Sequence, residues 1–292
     1  MQIVTDSGAD LSPAQRRDLT LHSVPLVLTL DGKSYRSGVD IQPDEFYKLL
    51  AASKNYPVTS QPSPAEFADL YRELAAADPE ILSIHISSGL SGTMNAARVG
   101  AGMVPEAKVT FVDTKTLSAA EGWQVEAAAR AVRLGWPLDR ILAALGKISD
   151  ATDTLYTLAT LRYLVHGGRI SHLRGLLGQL LEIKPAIGVD KTTGKYAQHG
   201  TARTLTRAIK MLPDLIARQH APGTPLRAQI VHGDSPDGVA TLTEALEAIF
   251  PVQWVTTLDV APALGAHTGA GLVGLAYGPA SAFAGLEDVL PA

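Results

Sequence analysis

Short apolar runs alternate with helical segments in the first half of the chain, and this alternation restricts the possible folds more than any other sequence feature. Residues 81–86 and 109–112 have the pattern of buried strands. Helices are predicted at 43–54, 64–77, 92–103, 116–134 and 138–149. Such alternation builds a parallel sheet with helices on both faces. We therefore expect an α/β domain with a doubly wound, mostly parallel sheet over residues 1–150.

Two strand-like runs interrupt this pattern near residues 24–36. An apolar run at 24–30 and a second run at 33–36 flank the turn dipeptide Asp31-Gly32. An Asp-Gly pair between two such runs is typical of a β-hairpin. We expect this hairpin to be an insertion beside the main sheet.

The pattern changes after about residue 150, where strand candidates are separated by turns and single helices. Residues 183–189 and 195–197 flank the turn Thr192-Thr193-Gly194 and predict an antiparallel hairpin. Further strands are predicted at 155–158, 229–232, 252–257 and 272–277. The 292-residue length also favours two domains. We predict a second, mixed α/β domain over residues 151–292.

Composition excludes several functional classes. Hydrophobic residues make up 46% of the chain, so disorder is not its main state. The absence of cysteine excludes disulfides and thiolate chemistry, and a net charge of −4 argues against nucleic-acid binding. No apolar run reaches the roughly 18 residues of a membrane span, and the N-terminus has no basic leader. We expect a cytoplasmic protein without membrane insertion, in transient contact with a membrane at most.

Basic residues outnumber acidic ones between residues 162 and 210. This excess suits an anion or an acidic partner, although an ordinary solvated face accounts for it equally well. Both interpretations stay open from the sequence.

Several segments resemble known functional motifs but lack the residues or the neighbouring elements that these motifs require. Residues 269–274 have G-x-G-x-x-G spacing, but a strand is predicted after them instead of a helix, so we assign the glycines to close backbone packing. Residues 32–34 lack the first glycine of a P-loop, and residues 89–93 lack the last glycine of a nucleophile elbow. His166 and His172 lack the spacing of a zinc site, so no metal is expected.

One segment has the features of an anion site. Residues 87–93, Ser-Ser-Gly-Leu-Ser-Gly-Thr, lie between a predicted strand and a predicted helix, where hydroxyls and backbone N–H groups can bind an anion. Residues 59–63 supply more hydroxyls before another helix start. Such residues also cap helices, and we assign Ser63 to that role. For Thr59 and Ser91 we favour ligand binding.

These segments resemble the DegV proteins, a family that includes the fatty-acid-binding subunits of bacterial fatty acid kinase. The resemblance spans the chain. It is carried by TDS at 5–7, TSQPS at 59–63, SSGLSGT at 87–93, LRYLVHGGRIS at 161–171, KPAIGV at 184–189 and GAHTGAGLVGLAY at 265–277.

The resemblance implies a two-domain α/β fold with one long-chain fatty acid buried between the domains. It assigns binding of the carboxylate to the TSQ and SSGLSG segments, which here supply Thr59, Ser60, Ser91 and Gly92. It implies no cofactor and no chemistry by this chain alone.

The resemblance further places Arg169, Arg203 and His267 at the carboxylate opening, where a separate kinase catalytic subunit docks and phosphorylates the bound acid. The family often has proline in the segment H-x-G-P-G, whereas this chain has Ala270. That departure is expected to loosen the loop without changing the role of His267.

Elementary energetics agree with such a ligand. Burying an acyl chain of about 16 carbons releases roughly 12 kcal/mol at about 0.8 kcal/mol per methylene, before ordering costs. Affinity can then come from apolar surface, while hydroxyls and a helix N-terminus satisfy the carboxylate.

Two other functions stay open from the sequence. Ser91, His267 and Asp6 could form the triad of a hydrolase or acyltransferase, and the loop at residues 87–93 could bind phosphate or another small anion.

The sequence does not determine which residues would form the wall of a fatty-acid cavity. One apolar stretch could line an acyl tunnel or form plain hydrophobic core, and the sequence favours core. Its residues are Leu161, Leu164, Ile170, Leu173, Leu176, Leu177, Leu180, Leu181 and Ile183.

Overall fold

A computed structural model of the protein describes residues 1–171, 173 and 183–291. The strands are β1 (Gln2–Asp6), β2 (His22–Val24), β3 (Val27–Leu30), β4 (Lys33–Arg36), β5 (Val58–Ser60), β6 (Glu80–His85), β7 (Lys108–Asp113), β8 (Asp153–Thr157), β9 (Lys184–Asp190), β10 (Lys195–Ala202), β11 (Leu226–His232), β12 (Val252–Asp259) and β13 (Val273–Pro279). The helices are α1 (Pro13–Arg16), α2 (Pro43–Ala52), α3 (Pro64–Ala75), α4 (Thr93–Ala101), α5 (Ser118–Arg133), α6 (Leu138–Ala151), α7 (Arg162–His166), α8 (Leu205–Ile216), α9 (Pro236–Glu247) and α10 (Pro262–Thr268).

The first sheet is parallel and has helices on both faces, as the sequence predicts. Its strand order is β2-β1-β6-β7. Apolar residues of α3 and α4, among them Phe67, pack with Val4 and Ile81 on one face. Trp123 of α5 belongs to the cluster that covers Ile3 on the other face. Successive strand residues point to opposite faces, so each strand feeds both layers.

The predicted hairpin is confirmed, but it is shorter than expected. β3 and β4 pair antiparallel around Asp31 and Gly32, which both have positive φ, as a tight two-residue hairpin turn requires. Pro25 divides the apolar run at 24–30, because proline has no N–H to continue the pairing. Val24 therefore pairs with β1 in the parallel sheet. β5, which the sequence did not predict, completes the three-stranded sheet β4-β3-β5.

The second large sheet is mixed, as predicted, with the strand order β10-β9-β8-β13-β11-β12. β11 and β12 are parallel, and the other neighbouring strands are antiparallel. The β9–β10 hairpin is confirmed, and β10 extends beyond the predicted residue 197 to Ala202. The glycines at 269–274 lead into β13, which confirms that they do not open a dinucleotide-binding helix.

A capping box formed by Ser63 and Glu66 sets the start of α3. Ser63 Oγ accepts a hydrogen bond from the Glu66 N–H, and the Glu66 carboxylate accepts one from the Ser63 N–H at 2.7 Å. This reciprocal cap satisfies two backbone donors that the helix leaves free. The assignment of Ser63 to capping is confirmed.

Helix α5 lies between the two large sheets and contacts β1 and β6 on one side and β11 and β13 on the other. Thirteen of its 16 residues are buried. Because α5 belongs to the core of both sheets, the division of the chain at residue 150 stays a prediction.

The β9–β10 turn contacts the loop that follows β6. Ser87 Oγ donates a hydrogen bond to the Gly194 carbonyl oxygen at 2.7 Å. A Cβ on Gly89 would lie 2.6 Å from the carbonyl oxygens of Thr193 and Gly194. Glycine at position 89 therefore lets two backbones approach closely, and the second sheet helps hold the loop at residues 87–93.

Replacement of Gly194 tests this contact. Gly194 has φ +67°, and an added Cβ would lie 2.1 Å from Ser87 Oγ, so Gly194→Ala combines backbone strain with a clash. Gly223→Ala is the matched control, because Gly223 has φ +83° but no atom within 4 Å of an added Cβ. We expect the control to lose about 1 kcal/mol of unfolding free energy and Gly194→Ala about 3 kcal/mol or more, measured by urea unfolding. Equal losses would contradict a tight contact at this turn.

Candidate functional site

A small cavity of about 30 Å³, partly open to solvent, lies where β5, the loop before α4 and helix α10 meet. Its polar lining residues are Thr59, Gln61, Ser91, Arg169 and His267, and its apolar ones are Leu26, Ile86, Leu90, Leu117, Ala263 and Leu264, with Tyr196 also in the wall. Four of the predicted site residues therefore share one cavity, although they come from distant parts of the chain.

Thr59 and His267 form the closest polar contact in this cavity. Thr59 Oγ1 lies 2.7 Å from His267 Nε2. Burial and, to a smaller extent, the nearby Arg169 charge together lower the pKa of His267 to about 4. The imidazole is therefore neutral near neutral pH and carries one N–H.

The surroundings of the second ring nitrogen indicate which nitrogen holds that proton. His267 Nδ1 is buried, and no described atom is in hydrogen-bonding geometry with it. A buried N–H without an acceptor is rarer than a buried lone pair without a donor. We therefore assign the proton to Nε2, which donates to Thr59 Oγ1. The Thr59 hydroxyl hydrogen is then available to a ligand atom in the cavity.

Strand β5 determines which hydroxyl of residues 59–63 faces the cavity. Thr59, opposite Leu28 of β3, is half-buried and lines the cavity, whereas Ser60 is exposed. Neighbouring strand residues point to opposite sides, so Thr59 and Ser60 cannot both face one ligand. Ser60 is not among the residues that line this cavity, so its expected role at the carboxylate stays a prediction and we leave it out of the proposed site. Gln61, which was not predicted as a site residue, lines the cavity together with Thr59.

Ser91 lies just before Gly92, the N-cap residue of α4. Its hydroxyl is 2.8 Å from Thr93 Oγ1 and accepts a longer bond from the Thr93 N–H. A Cβ on Gly92 would lie 2.4 Å from Gln61 Oε1. Gly92 therefore contributes space for the Gln61 side chain, while Ser91 supplies the hydroxyl that lines the cavity.

The two predicted arginines have different positions. Arg169 lines the cavity and donates from a guanidinium nitrogen to the Gly167 carbonyl oxygen at 2.7 Å. Glycine at position 167 leaves room for the His267 ring beside this carbonyl group, because an added Cβ would lie 2.0 Å from His267 Nδ1. Arg203 is exposed just after β10 and is not among the residues that line this cavity. Its role at the opening stays a prediction.

A second small cavity of about 20 Å³, largely apolar, adjoins the first. Leu117, Tyr196 and Leu264 line both. The remaining wall consists of Ser118, Tyr156, Ile187, Val260, Thr268 and Leu272. One continuous lining therefore runs from a polar end to an apolar end.

The leucine-rich stretch considered as a tunnel wall is largely core where it is described. Leu161, Leu164, Ile170, Leu173 and Ile183 belong to a buried hydrophobic cluster. Leu176, Leu177, Leu180 and Leu181 lie outside the described residues. The residues of the apolar wall were not predictable from the sequence, because they are scattered along the chain without a shared period.

The structure does not assemble the triad considered for a hydrolase. Ser91 bonds to Thr93, and His267 bonds to Thr59. The Asp6 carboxylate instead accepts hydrogen bonds from His85 Nδ1 at 2.9 Å and the Ile86 N–H at 3.0 Å. Ser91, His267 and Asp6 are therefore not joined into a proton relay.

No group of three or more histidine, aspartate or glutamate side chains in the described part of the chain is placed to hold a metal ion. Across the same residues, every helix is too short or too polar to cross a bilayer.

Comparison with known proteins agrees with this architecture. A family model described as an uncharacterised protein of the DegV family matches residues 1–280. A DegV domain-containing protein of Deinococcus radiodurans is 34% identical, and the match covers 95% of each chain.

Two solved structures have the same fold. A DegV family protein from Thermus thermophilus, described by its fatty acid binding, superposes with a TM-score of 0.84 at 33% identity and covers 95% of this chain and 99% of its own. The fatty acid kinase (Fak) B3 protein of Streptococcus pneumoniae, loaded with linoleic acid, has a TM-score of 0.80 at 20% identity over 95% of this chain and 99% of its own, and this likeness concerns the fold alone. The chain belongs to the DegV family.

Proposed function

We propose that this protein binds a long-chain fatty acid and presents its carboxylate to a separate kinase subunit, without performing chemistry itself. The observation that carries the proposal is the continuous lining from a polar cavity at Thr59 and Ser91 to an apolar cavity beyond Tyr196. A molecule with one anionic end and one long apolar end matches both environments.

The polar end supplies hydrogen-bond donors for a carboxylate. Thr59 has a free hydroxyl hydrogen once it accepts from His267, and Ser91 lies beside the N-terminus of α4, which favours negative charge. Because His267 is neutral, the positive charge that lines this cavity is that of Arg169. Hydroxyls and one arginine can satisfy a carboxylate that would otherwise be costly to bury.

The apolar end favours a fatty acid over the other candidate functions. A small-anion binder has no use for the second cavity, and a hydrolase needs the triad that the structure does not assemble. The Thermus thermophilus relative, described as binding fatty acid, supports the same ligand class at 33% identity.

Presentation to a kinase is supported by charge at the cavity. Arg169 is only half-buried, and an acyl phosphate carries more negative charge than the carboxylate from which it forms. Arg203 would add to this attraction if a docked kinase lies over the end of β10.

The ligand assignment is tested by solvent extraction of the purified protein and mass spectrometry, where we expect a fatty acid of about 14 to 18 carbons. In Thr59→Ala with Ser91→Ala, we expect retained acid but at least about tenfold slower phosphorylation by a fatty acid kinase catalytic subunit, because the acyl chain stays buried while its carboxylate loses two donors. Ser60→Ala is the control, since that hydroxyl is exposed. A protein that contains no fatty acid and takes up none would refute the ligand.

The role of Arg169 is tested by Arg169→Ala. We expect unchanged fatty acid content, because the apolar cavity is intact, and phosphorylation slowed by at least about tenfold, because the charge at the opening is lost. Arg72→Ala on the exposed face of α3 controls for the loss of one positive charge. A lipid-free Arg169→Ala protein would contradict this expectation, because it would show that Arg169 is needed to retain the acid and not only for its phosphorylation.

The protonation state of His267 is tested by NMR titration of its ring nitrogens. We expect a midpoint near 4 and a proton on Nε2 above it. Arg169→Gln should raise the midpoint but leave it below the ordinary 6.5, because burial is the larger cause. A depressed histidine pKa also means that unfolding free energy falls as pH drops from about 6.5 toward 4, and His267→Gln removes this contribution. A midpoint at or above 6.5 would contradict the assignment.

A further inference from the structure

Through the side chain of Asp10, the loop between β1 and α1 bonds to Ser118, which lines the apolar cavity, and to Ala261, which follows the lining residue Val260. Asp10 is 6% exposed, and its two carboxylate oxygens have different partners. Oδ2 accepts a hydrogen bond from Ser118 Oγ at 2.5 Å, and Oδ1 accepts one from the Ala261 N–H at 3.0 Å. Asp10 therefore connects segments that are far apart in sequence.

The first partner, Ser118, begins α5 and lines the apolar cavity. It has φ +59°, a left-handed conformation that is costly for a residue with a Cβ and persists only where the surroundings enforce it. The Ser118 N–H donates to the Gly8 carbonyl oxygen at 2.8 Å, and Gly122 lets the Asp10 backbone lie against α5. The 8–10 segment thus holds the start of α5 in place.

The second partner, Ala261, precedes α10. Val260 and Leu264, on either side of it, line the apolar cavity, and α10 carries His267 of the polar cavity. Asp10 therefore bonds to the start of α5 and to the residue before α10, two elements that both contribute residues to the cavity linings.

We propose that Asp10 is a positioning residue for the acyl-chain cavity, whose charged carboxylate holds α5 and α10 together and thereby slows release of the bound chain. This inference rests on the proposed fatty acid function. It assigns a role to a residue that touches neither the described polar cavity nor the acyl cavity directly.

The surroundings of Asp10 make its charge sensitive to pH near neutrality. Burial raises its pKa to about 7, against the opposing effects of its two hydrogen bonds and of Arg16. The charged and titratable groups that face it are Arg16 of α1, Tyr47 of α2, Glu121 of α5, Tyr156 of β8 and Asp259 of β12, which is paired with His232 of β11. Asp10 also lines a solvent-open cleft with Arg16 and Asp259, so it can exchange protons without opening the acyl cavity.

The neutral carboxyl can keep both contacts, but more weakly. A protonated Asp10 can donate to Ser118 Oγ and still accept from Ala261, while it loses the extra strength of a charged acceptor. Asparagine has the same donor and acceptor arrangement at every pH. Asp10→Asn is therefore a permanent equivalent of the protonated form, whereas Asp10→Ala removes both contacts.

The experiment measures dissociation of radiolabelled oleate from the full-length protein into an excess of fatty-acid-free albumin. For the natural sequence we expect release to become roughly tenfold faster as the pH falls from about 8 to about 6. Asp10→Asn should release oleate at the faster rate throughout, and Ser118→Ala should be faster at about pH 8 with a smaller pH response. Asp69→Asn, which makes the same change in net charge on an exposed part of α3, should behave like the natural protein.

The outcomes separate this inference from the function on which it rests. A natural protein that retains no oleate would overturn the proposed function. A natural protein that retains oleate, with release that is unchanged in Asp10→Asn and Ser118→Ala at every pH, would overturn the positioning role of Asp10. For Asp10→Ala we expect the largest increase in the release rate. If this variant fails to fold, Asp10→Asn and Ser118→Ala still decide the test.

Discussion

The burial of α5 between two sheets is the constraint on which the rest of the structure depends. A helix that is covered on both sides can pack closely when most of its side chains are small, and α5 is rich in alanine, with Trp123 as its one large aromatic residue. It also buries the polar side chains of Glu121, Gln124 and Glu126. Its N-cap residue, Leu117, and its first residue, Ser118, line the cavities from this fixed position. Since both sheets pack on the same helix, the parallel sheet with its polar loops and the mixed sheet with its apolar wall keep a fixed relation to each other.

The two sheets contribute different chemistry to the cavities. Loops at the carboxyl ends of parallel strands bring backbone N–H groups and hydroxyls together, and Ser91 lies in such a loop. The mixed sheet supplies Ile187 and Tyr196 to the walls. A ligand with a polar and an apolar end would be bound where these two environments meet.

A buried chain of hydrogen bonds explains why polar residues occur inside the parallel sheet. Tyr71, Ser83, His85 and Asp6 are linked at 2.8, 2.7 and 2.9 Å. The hydroxyl hydrogens of Tyr71 and Ser83 and the ring N–H of His85 can each donate to the next member, and the chain ends on Asp6. Asp6 also accepts from the Gly8 N–H, so the chain fixes the loop from which Asp10 extends. Its Ser-His-Asp order resembles a catalytic triad, but these side chains are at most 1% exposed and no substrate reaches them.

The sequence by itself determined the alternating strands and helices, the turn at Asp31, the cap at Ser63 and the loop that contains Ser91, because each depends on neighbours within a few residues. Tertiary structure alone decided that Thr59 meets His267, 208 positions away, and that Ser60 faces outward. β5 has only three residues, too few to show a period, and its orientation comes from pairing with β3. Contacts between distant segments depend on how helices and sheets pack, and no local pattern of residues encodes that packing.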